Sequence, residues 1–225
     1  GLALGKGVAV CKTLAEAKSF LSDVMKDKIF GDSGNEIIIE EFLQGPEFSV
    51  HVFSDGSNFK IFPISQDHKT IFNNNQGPNT GGMGTIAPLP WITGPIMDDV
   101  AMEIVRPTLK ALKKLGAPFS GLLYPGLILT KDGSKVIEFN ARFGDPETQS
   151  YMRLLKTDLF DILEACVEGK LNTLNIEWEN KFACCVILAS EGYPRKYKKG
   201  MPISGIEQAN KLKDTIVFHS GTALQ

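Results

Sequence analysis

Glu138, Asn140 and Arg142 stand two residues apart in "VIEFNARFGDPETQ" (136–149). Side chains alternate between the faces of a β-strand, so Val136 and these three residues share one side. Ile137, Phe139 and Ala141 take the other side, which the pattern marks as the packing face. The polar side offers two hard oxygen ligands followed by a cation. Magnesium takes oxygen donors in near-octahedral order and keeps substrate phosphates in its shell. Arg142 continues the row toward a phosphate or an oxyanion. The turn that follows adds Asp145 and Glu147, carboxylates that could receive an amine. A solvated polar strand face is the plainer alternative, and the apolar opposite face and the acid-rich turn argue against it.

Other stretches offer matching chemistry. "GPNTGGMG" (77–84) carries four glycines in eight residues, at a cost in entropy on ordering. Such amides can approach an anion or a carboxylate closely. "SQDHK" gathers Asp67, His68 and Lys69, which read either as one wall of a polar site or as a charged hairpin exit. His51 and His219 fall in expected strands without evident partners and read as structural. In "EEFLQGPE", Glu40 and Glu41 point oppositely, so at most one reaches a pocket. The backbone of that strand end suits an adenine edge, and Glu47 could accept from ribose hydroxyls; an ordinary exposed strand end is the alternative. "GLALGKGV" lacks the spacing and the hydroxyl of a P-loop. It remains a glycine loop whose Lys6 could fold over phosphate oxygens, or a plain hairpin loop.

The elements that must position these residues follow from periodicity. Val8–Cys11 and 36–43 read as strands, with a helix between them opened by the capping-box pair Thr13 and Glu16. A hairpin is expected around Asp55-Gly56, then an irregular glycine-, proline- and asparagine-rich loop over 66–90. A helix over roughly 98–115 is interrupted at Arg106-Pro107 and stopped at Gly116. A second hairpin turns at "KDG", followed by helices over 147–156 and 158–168. From Lys181 the texture changes to an apolar strand, "FACCVILAS", a basic loop, and another strand in "TIVFHSG".

Bulk properties narrow the classes. Of 225 residues, 43% are hydrophobic and 22% charged, with a net charge of −2. No global basic field invites nucleic acid, and no run reaches the roughly 18 apolar residues of a membrane span. The spacing of Cys11, Cys166, Cys184 and Cys185 fits no zinc motif, and free, mostly buried thiols in a reducing compartment are expected. That points to the cytoplasm. The chain opens without an initiator Met and stops just after an expected strand, so both ends are expected to be cut.

Together "GLALGKGV", "EEFLQGPE", "SQDHK", "GPNTGGMG", "GLLYPGL", "VIEFNARFGDPETQ", "EGYP" and "FHSGT" resemble, in order, the motifs of the ATP-grasp ligases. Among these the chain is most similar to the glycinamide ribonucleotide synthetases. The resemblance implies an α+β fold, an ATP-grasp core of antiparallel sheets with packed helices, plus part of a small C-terminal α/β domain. Residues 1–43 would be part of the lid, 44–180 the core with the metal site, and 181–225 the partial C-terminal domain. The nucleotide-fold domain that opens this family, and the lid strand with its lysine, are expected to lie outside these 225 residues.

The resemblance also implies roles. Lys6, Glu40, Glu41, Phe42, Leu43, Glu47, Lys69 and Asn79 would bind ATP, and Glu138 and Asn140 would ligate Mg2+ or Mn2+. Asp67, His68, Thr80, Gly81, Gly82, Met83 and Gly84 would line the substrates. Arg142, Asp145 and Glu147 would act on glycine and phosphoribosylamine. The implied reaction forms glycyl phosphate and ADP, then the amide, with no side-chain nucleophile. The parent would be a monomer or fused to other purine-pathway domains. Rival readings are another purine-pathway ATP-grasp ligase or carboxylase, and a nucleotide-binding module without catalysis.

Overall fold

The structure, a computed structural model, describes residues 7–224. Their contacts fall into two units, one ending at Gln44 and the other beginning at Gly45. In the first, α1 (Leu14–Met25) opens with the expected capping box. Thr13 Oγ1 accepts the Glu16 N–H at 3.2 Å, and Glu16 Oε2 accepts the Thr13 N–H at 3.3 Å. The strands expected at Val8–Cys11 and 36–43 are not formed. Ile38 and Ile39 are 87% and 81% exposed. A strand exists by pairing as much as by propensity, and among the described residues neither stretch has a partner strand.

The second unit is built on a long central strand. β1 (Glu47–Ser49) and β2 (Val52–Asp55) are two pieces of one segment, and β2 turns at Asp55-Gly56 into β3 (Phe59–Ile61), as expected. β4 (Gln66–Asp67), β5 (Thr70–Phe72), β6 (Gln76–Asn79) and β7 (Gly84–Ala87) occupy the stretch expected to be irregular. Asn74 and Asn75 make the difference: both adopt positive φ, which asparagine tolerates, and close β5 onto β6. The helical stretch runs as α2 (Gly94–Asp99), a widened π-helical turn (Val100–Val105) and α3 (Arg106–Lys114). The widened turn stands directly before Pro107, whose missing N–H interrupts the ladder.

β8 (Ser120–Thr130) pairs along one edge with β2 and then β1, and along the other with β9 (Gly133–Asn140). Phe48, Val50, Val52, Leu123 and Leu127 pack one face of this sheet against Val100, Ile104, Val105 and Leu109. Phe53 and Leu122 pack the other face against α4 (Glu147–Leu154) and α5 (Leu159–Glu168), through Tyr151, Leu154 and Ile162. The two faces thus follow the strand alternation.

β9 departs from it. Glu138 pairs with Gly126 and Val136 with the adjacent Leu127, so Ile137 is an extra, bulged residue. Val136 packs on the core, whereas Ile137 and Phe139 are 39% and 47% exposed. The packing face expected for Ile137 and Phe139 is therefore corrected: the bulge breaks the period on which it rested.

β10 (Ala183–Val186) pairs with β7, so the residues after Lys181 belong to this second unit by contact. α6 (Ile206–Asn210) follows, but the strand expected in "TIVFHSG" is absent, and His219 Nδ1 meets Thr222 Oγ1 at 3.0 Å. All four cysteines are free; Cys166 is buried, while Cys184 is exposed, against expectation. Among the described residues no helix is long and apolar enough to cross a membrane.

Candidate active site

Ser49 ends β1, and His51 lies in the two-residue break before β2. His51 is fully buried and stacks on Tyr124 with ring centroids 4.1 Å apart. Its Nε2 accepts the Gly144 N–H at 3.1 Å, which leaves the ring proton on Nδ1, 3.1 Å from the Tyr151 hydroxyl. That hydroxyl passes the chain on to Ser65 Oγ at 2.6 Å. Burial first, and the charge of Arg142 second, lower the His51 pKa to about 3, so the ring is a neutral acceptor. The reading of His51 as a residue without partners is corrected.

Glu147, 2% exposed, is the other fastening point. Its Oε1 accepts from Ser49 Oγ at 2.9 Å and from the Tyr124 hydroxyl at 2.5 Å. A side chain on Gly144 has no room: its Cβ would stand 2.5 Å from Glu147 Oε2 and 2.6 Å from His51 Nε2. The turn that carries Asp145 is thus tied to the sheet from both sides. Sequence reasoning missed Ser49, His51, Tyr124, Tyr151 and Ser65. Their one signal was the placement of Ser49 and His51 inside an otherwise apolar strand.

In the second sheet Asp67 lies opposite Thr85, and Thr85 opposite Cys185. Cross-strand partners direct their side chains to the same face. The turn and α4 cover that row. Ser150 Oγ donates to Thr85 O at 3.3 Å, and the Asp145 carboxylate adds to the burial that raises the Cys185 pKa. Burial, and then the charge of Glu147, push the Asp67 carboxyl up to about 7, while Lys69 pulls it back.

Lys69 Nζ meets Glu47 Oε2 at 2.8 Å. Partial burial opposes its charge, yet Glu47, Asp67 and Glu138 together hold its pKa above the ordinary value. With both side chains at least 41% exposed, this ion pair adds at most about 1 kcal/mol to stability. The charge of Glu138 also acts on Lys69, so the oxygen pair on β9 lies within electrostatic reach of this ion pair. Asn140 Nδ2 donates to Glu138 Oε1 at 3.1 Å, so the two side chains do lie side by side. Among the described residues Asn140 Oδ1 and Glu138 Oε2 have no hydrogen-bond partner.

The glycine loop is tied down rather than open. Thr80 N–H and Oγ1 donate to Lys69 O, Met83 N–H to His68 O, and His68 N–H to Gly84 O. The amides of Gly81 and Gly82 go to the Tyr193 hydroxyl and Thr80 Oγ1, both at 3.0 Å. The glycines therefore serve close approach, and these two amides are spent within the chain. His68 Nε2 bonds Phe72 O at 3.0 Å inside its own hairpin, and Asn79 is exposed on β6.

Residues 1–148 match the model of the phosphoribosylglycinamide synthetase ATP-grasp (A) domain, and 183–225 match the C domain of the same synthetase. The chain belongs to the phosphoribosylglycinamide synthetase family. It is 49% identical over its whole length to a phosphoribosylamine–glycine ligase of Caldanaerobacter subterraneus, of which it covers 53%. It is 45% identical to a trifunctional purine biosynthetic protein of Gallus gallus, covering 22% of that protein. The crystal structure of a phosphoribosylamine–glycine ligase from Thermotoga maritima superposes with a TM-score of 0.75 at 31% identity, over 88% of this chain and 50% of that one. The chain spans about half the length of the curated ligases it matches. The fold is that of the ATP-grasp ligases.

Within this family fold, the other expected residues stand as follows. Lys6 lies outside the described residues. Glu40, Glu41 and Phe42 are exposed and Leu43 half-buried in the first unit. Arg142 is exposed, with Nη1 donating to Phe143 O at 2.9 Å, and Asp145 Oδ1 accepts from Gln149 Nε2 at 2.7 Å. Among the described residues no group of three or more His, Cys, Asp or Glu side chains could hold a metal ion alone. An oxygen pair from one carboxylate and one amide fits a hard cation that draws its remaining ligands from phosphate and water.

Proposed function

We propose that this chain carries the nucleotide and metal machinery of a ligase that joins glycine to 5-phosphoribosylamine. The products are glycinamide ribonucleotide, ADP and phosphate. The observation that carries this reading is a Glu47–Lys69 ion pair within electrostatic reach of the Glu138–Asn140 oxygen pair, in a chain of this family. A glycine carboxylate oxygen attacks the γ-phosphorus of ATP and ADP leaves. The amine of phosphoribosylamine then attacks the acyl carbon, losing a proton as phosphate departs.

Lys69 and Arg142 supply positive charge toward the transferred phosphoryl group, while Glu47 faces the ribose. Glu138 and Asn140 hold Mg2+ (or Mn2+), which when bound neutralises phosphate charge. Asn79 meets the nucleotide, and Asp67, His68 and residues 80–84 line the substrates. Asp145 meets them directly, whereas the buried Glu147 acts through the turn it fastens. Lys6 and Glu40–Leu43 contribute to ATP binding from the lid, 44–180 forms the core, and 181–225 begins the C-terminal domain. The protein works in the cytoplasm, either alone or fused to other purine-pathway domains.

Calorimetric titration of the folded chain with ATP, with and without Mg2+, tests the reading. Binding that requires Mg2+ is expected. A folded chain that binds ATP equally well without the metal, or not at all, would refute it.

A further inference from the structure

Three buried side-chain atoms of the described residues have no hydrogen-bond partner: Asp67 Oδ1, Thr85 Oγ1 and Gln149 Oε1. An orphaned buried polar atom costs roughly 1–3 kcal/mol, and native proteins keep few of them. They lie in the seam where α4 and the turn before it pack on the second sheet. Asp67 and Thr85 are cross-strand partners on β4 and β7, facing the same way. Gln149 stands on the first turn of α4, one residue before Ser150, which bonds the backbone of Thr85. Pro146, three residues before Gln149, closes the end: a Cβ on Gly82 would lie 2.5 Å from its Cδ and 2.8 Å from Asp67 Oδ1.

The chemistry of the three atoms agrees. In its ionised form the Asp67 carboxylate only accepts, as does an amide oxygen, and a hydroxyl oxygen can accept. The amide nitrogen of Gln149 is already given to Asp145, and Lys69 to Glu47. Glu147 and Asp145 add negative charge from the roof of the seam. What is missing is a small group with several N–H donors and a positive charge. Thr85 is 2% exposed, so its hydroxyl is closed to bulk solvent.

We propose that this seam is an amino-group site, in which a primary ammonium or amine donates to Asp67 Oδ1, Thr85 Oγ1 and Gln149 Oε1. The choice between glycine and phosphoribosylamine as its occupant rests on the ligase reading above; the site itself does not. Burial has raised the Asp67 pKa to about 7, and an ammonium arriving beside it restores the carboxylate.

The test is NMR of the Thr85 and Gln149 side chains during titration with glycine, methylammonium and N,N,N-trimethylglycine, which keeps the carboxylate but has no N–H. Glycine is expected to move both resonances, and its trimethyl analogue to leave them still. Thr85→Val should be at least as stable as the parent, because it removes an orphaned hydroxyl. It should also bind glycine about tenfold more weakly. Methylammonium shifting the same resonances while glycine does not would support the site and assign it to the amine substrate.

Equal shifts from the trimethyl analogue would overturn the proposal. So would no shift with any amine up to about 0.1 M. A Thr85→Val chain that is destabilised yet binds unchanged would mark the hydroxyl as a water-bound structural group. Amine binding by a chain whose ATP binding does not depend on Mg2+ would fell the ligase reading and leave the site standing.

Discussion

Gly82 approaches Pro146 so closely that an added Cβ would lie 2.5 Å from the proline Cδ. The same methyl would stand 2.8 Å from Asp67 Oδ1, and Gly82 adopts φ +116°, which side chains rarely tolerate. One residue of the glycine loop therefore sets the spacing between β4 and the 144–147 turn. Gly82→Ala should cost about 2–4 kcal/mol, combining backbone strain with overpacking. Urea unfolding measures this directly. A loss within experimental error of zero would show that the turn yields freely, and would remove Gly82 from the architecture of the site.

Glu138 is exposed and accepts one hydrogen bond, from Asn140 at 3.1 Å. Its replacement should therefore leave stability within about 0.5 kcal/mol. As a ligand to a hard cation it should matter far more. Glu138→Gln keeps the shape and removes the charge, and Mg2+-dependent ATP affinity is expected to fall at least about tenfold. Paired calorimetry on the two proteins decides it. Equal affinity would take the metal away from β9.

Lys69 sits among Glu47, Asp67 and Glu138, and its charge holds the Asp67 pKa down against burial and Glu147. Lys69→Met should therefore move the Asp67 pKa upward, beyond about 7. Carbon-13 NMR of the Asp67 carboxyl follows that titration. A downward or absent shift would mean that the ion pair with Glu47 already cancels the field of Lys69 at Asp67.

How much of this could be read from the sequence depends on how far away each residue's partner lies. Glu138 and Asn140 were legible as a pair because two residues of one strand suffice to place them together. The 52–61 hairpin and the Thr13 capping box are equally local. Ser49 and Glu147 lie 98 residues apart, and His51 and Tyr151 lie 100 apart, so no local pattern announces their bonds. Ile137 and Phe139 misled for another reason: a one-residue bulge reverses every facing assignment drawn across it. Residues 36–43 have the composition of a strand, but composition supplies no partner.

His51 and Asp67 bias stability in opposite directions over the same span of pH. The folded pKa of His51, about 3, lies below its ordinary 6.5. Between those values the unfolded chain takes up a proton that the folded chain refuses, so this contribution grows as pH rises and is lost as pH falls. The folded pKa of Asp67, about 7, lies above its ordinary 3.8. There the folded chain keeps a proton that the unfolded chain has released, so stability declines as pH rises. Over roughly pH 4 to 6.5 the two slopes offset, and the parent chain should show a nearly flat profile. His51→Gln removes the first slope and should give stability that falls with pH. Asp67→Asn removes the second and should give stability that rises with pH. Either slope is at most about 1.4 kcal/mol per pH unit, and that of Asp67 is smaller because solvent partly screens it. Urea midpoints for the three proteins at roughly pH 4.5, 5.5 and 6.5 check the signs. Three parallel profiles would show that neither the imidazole on Gly144 nor the carboxyl beside Gly82 is held in the protonation state derived from its surroundings.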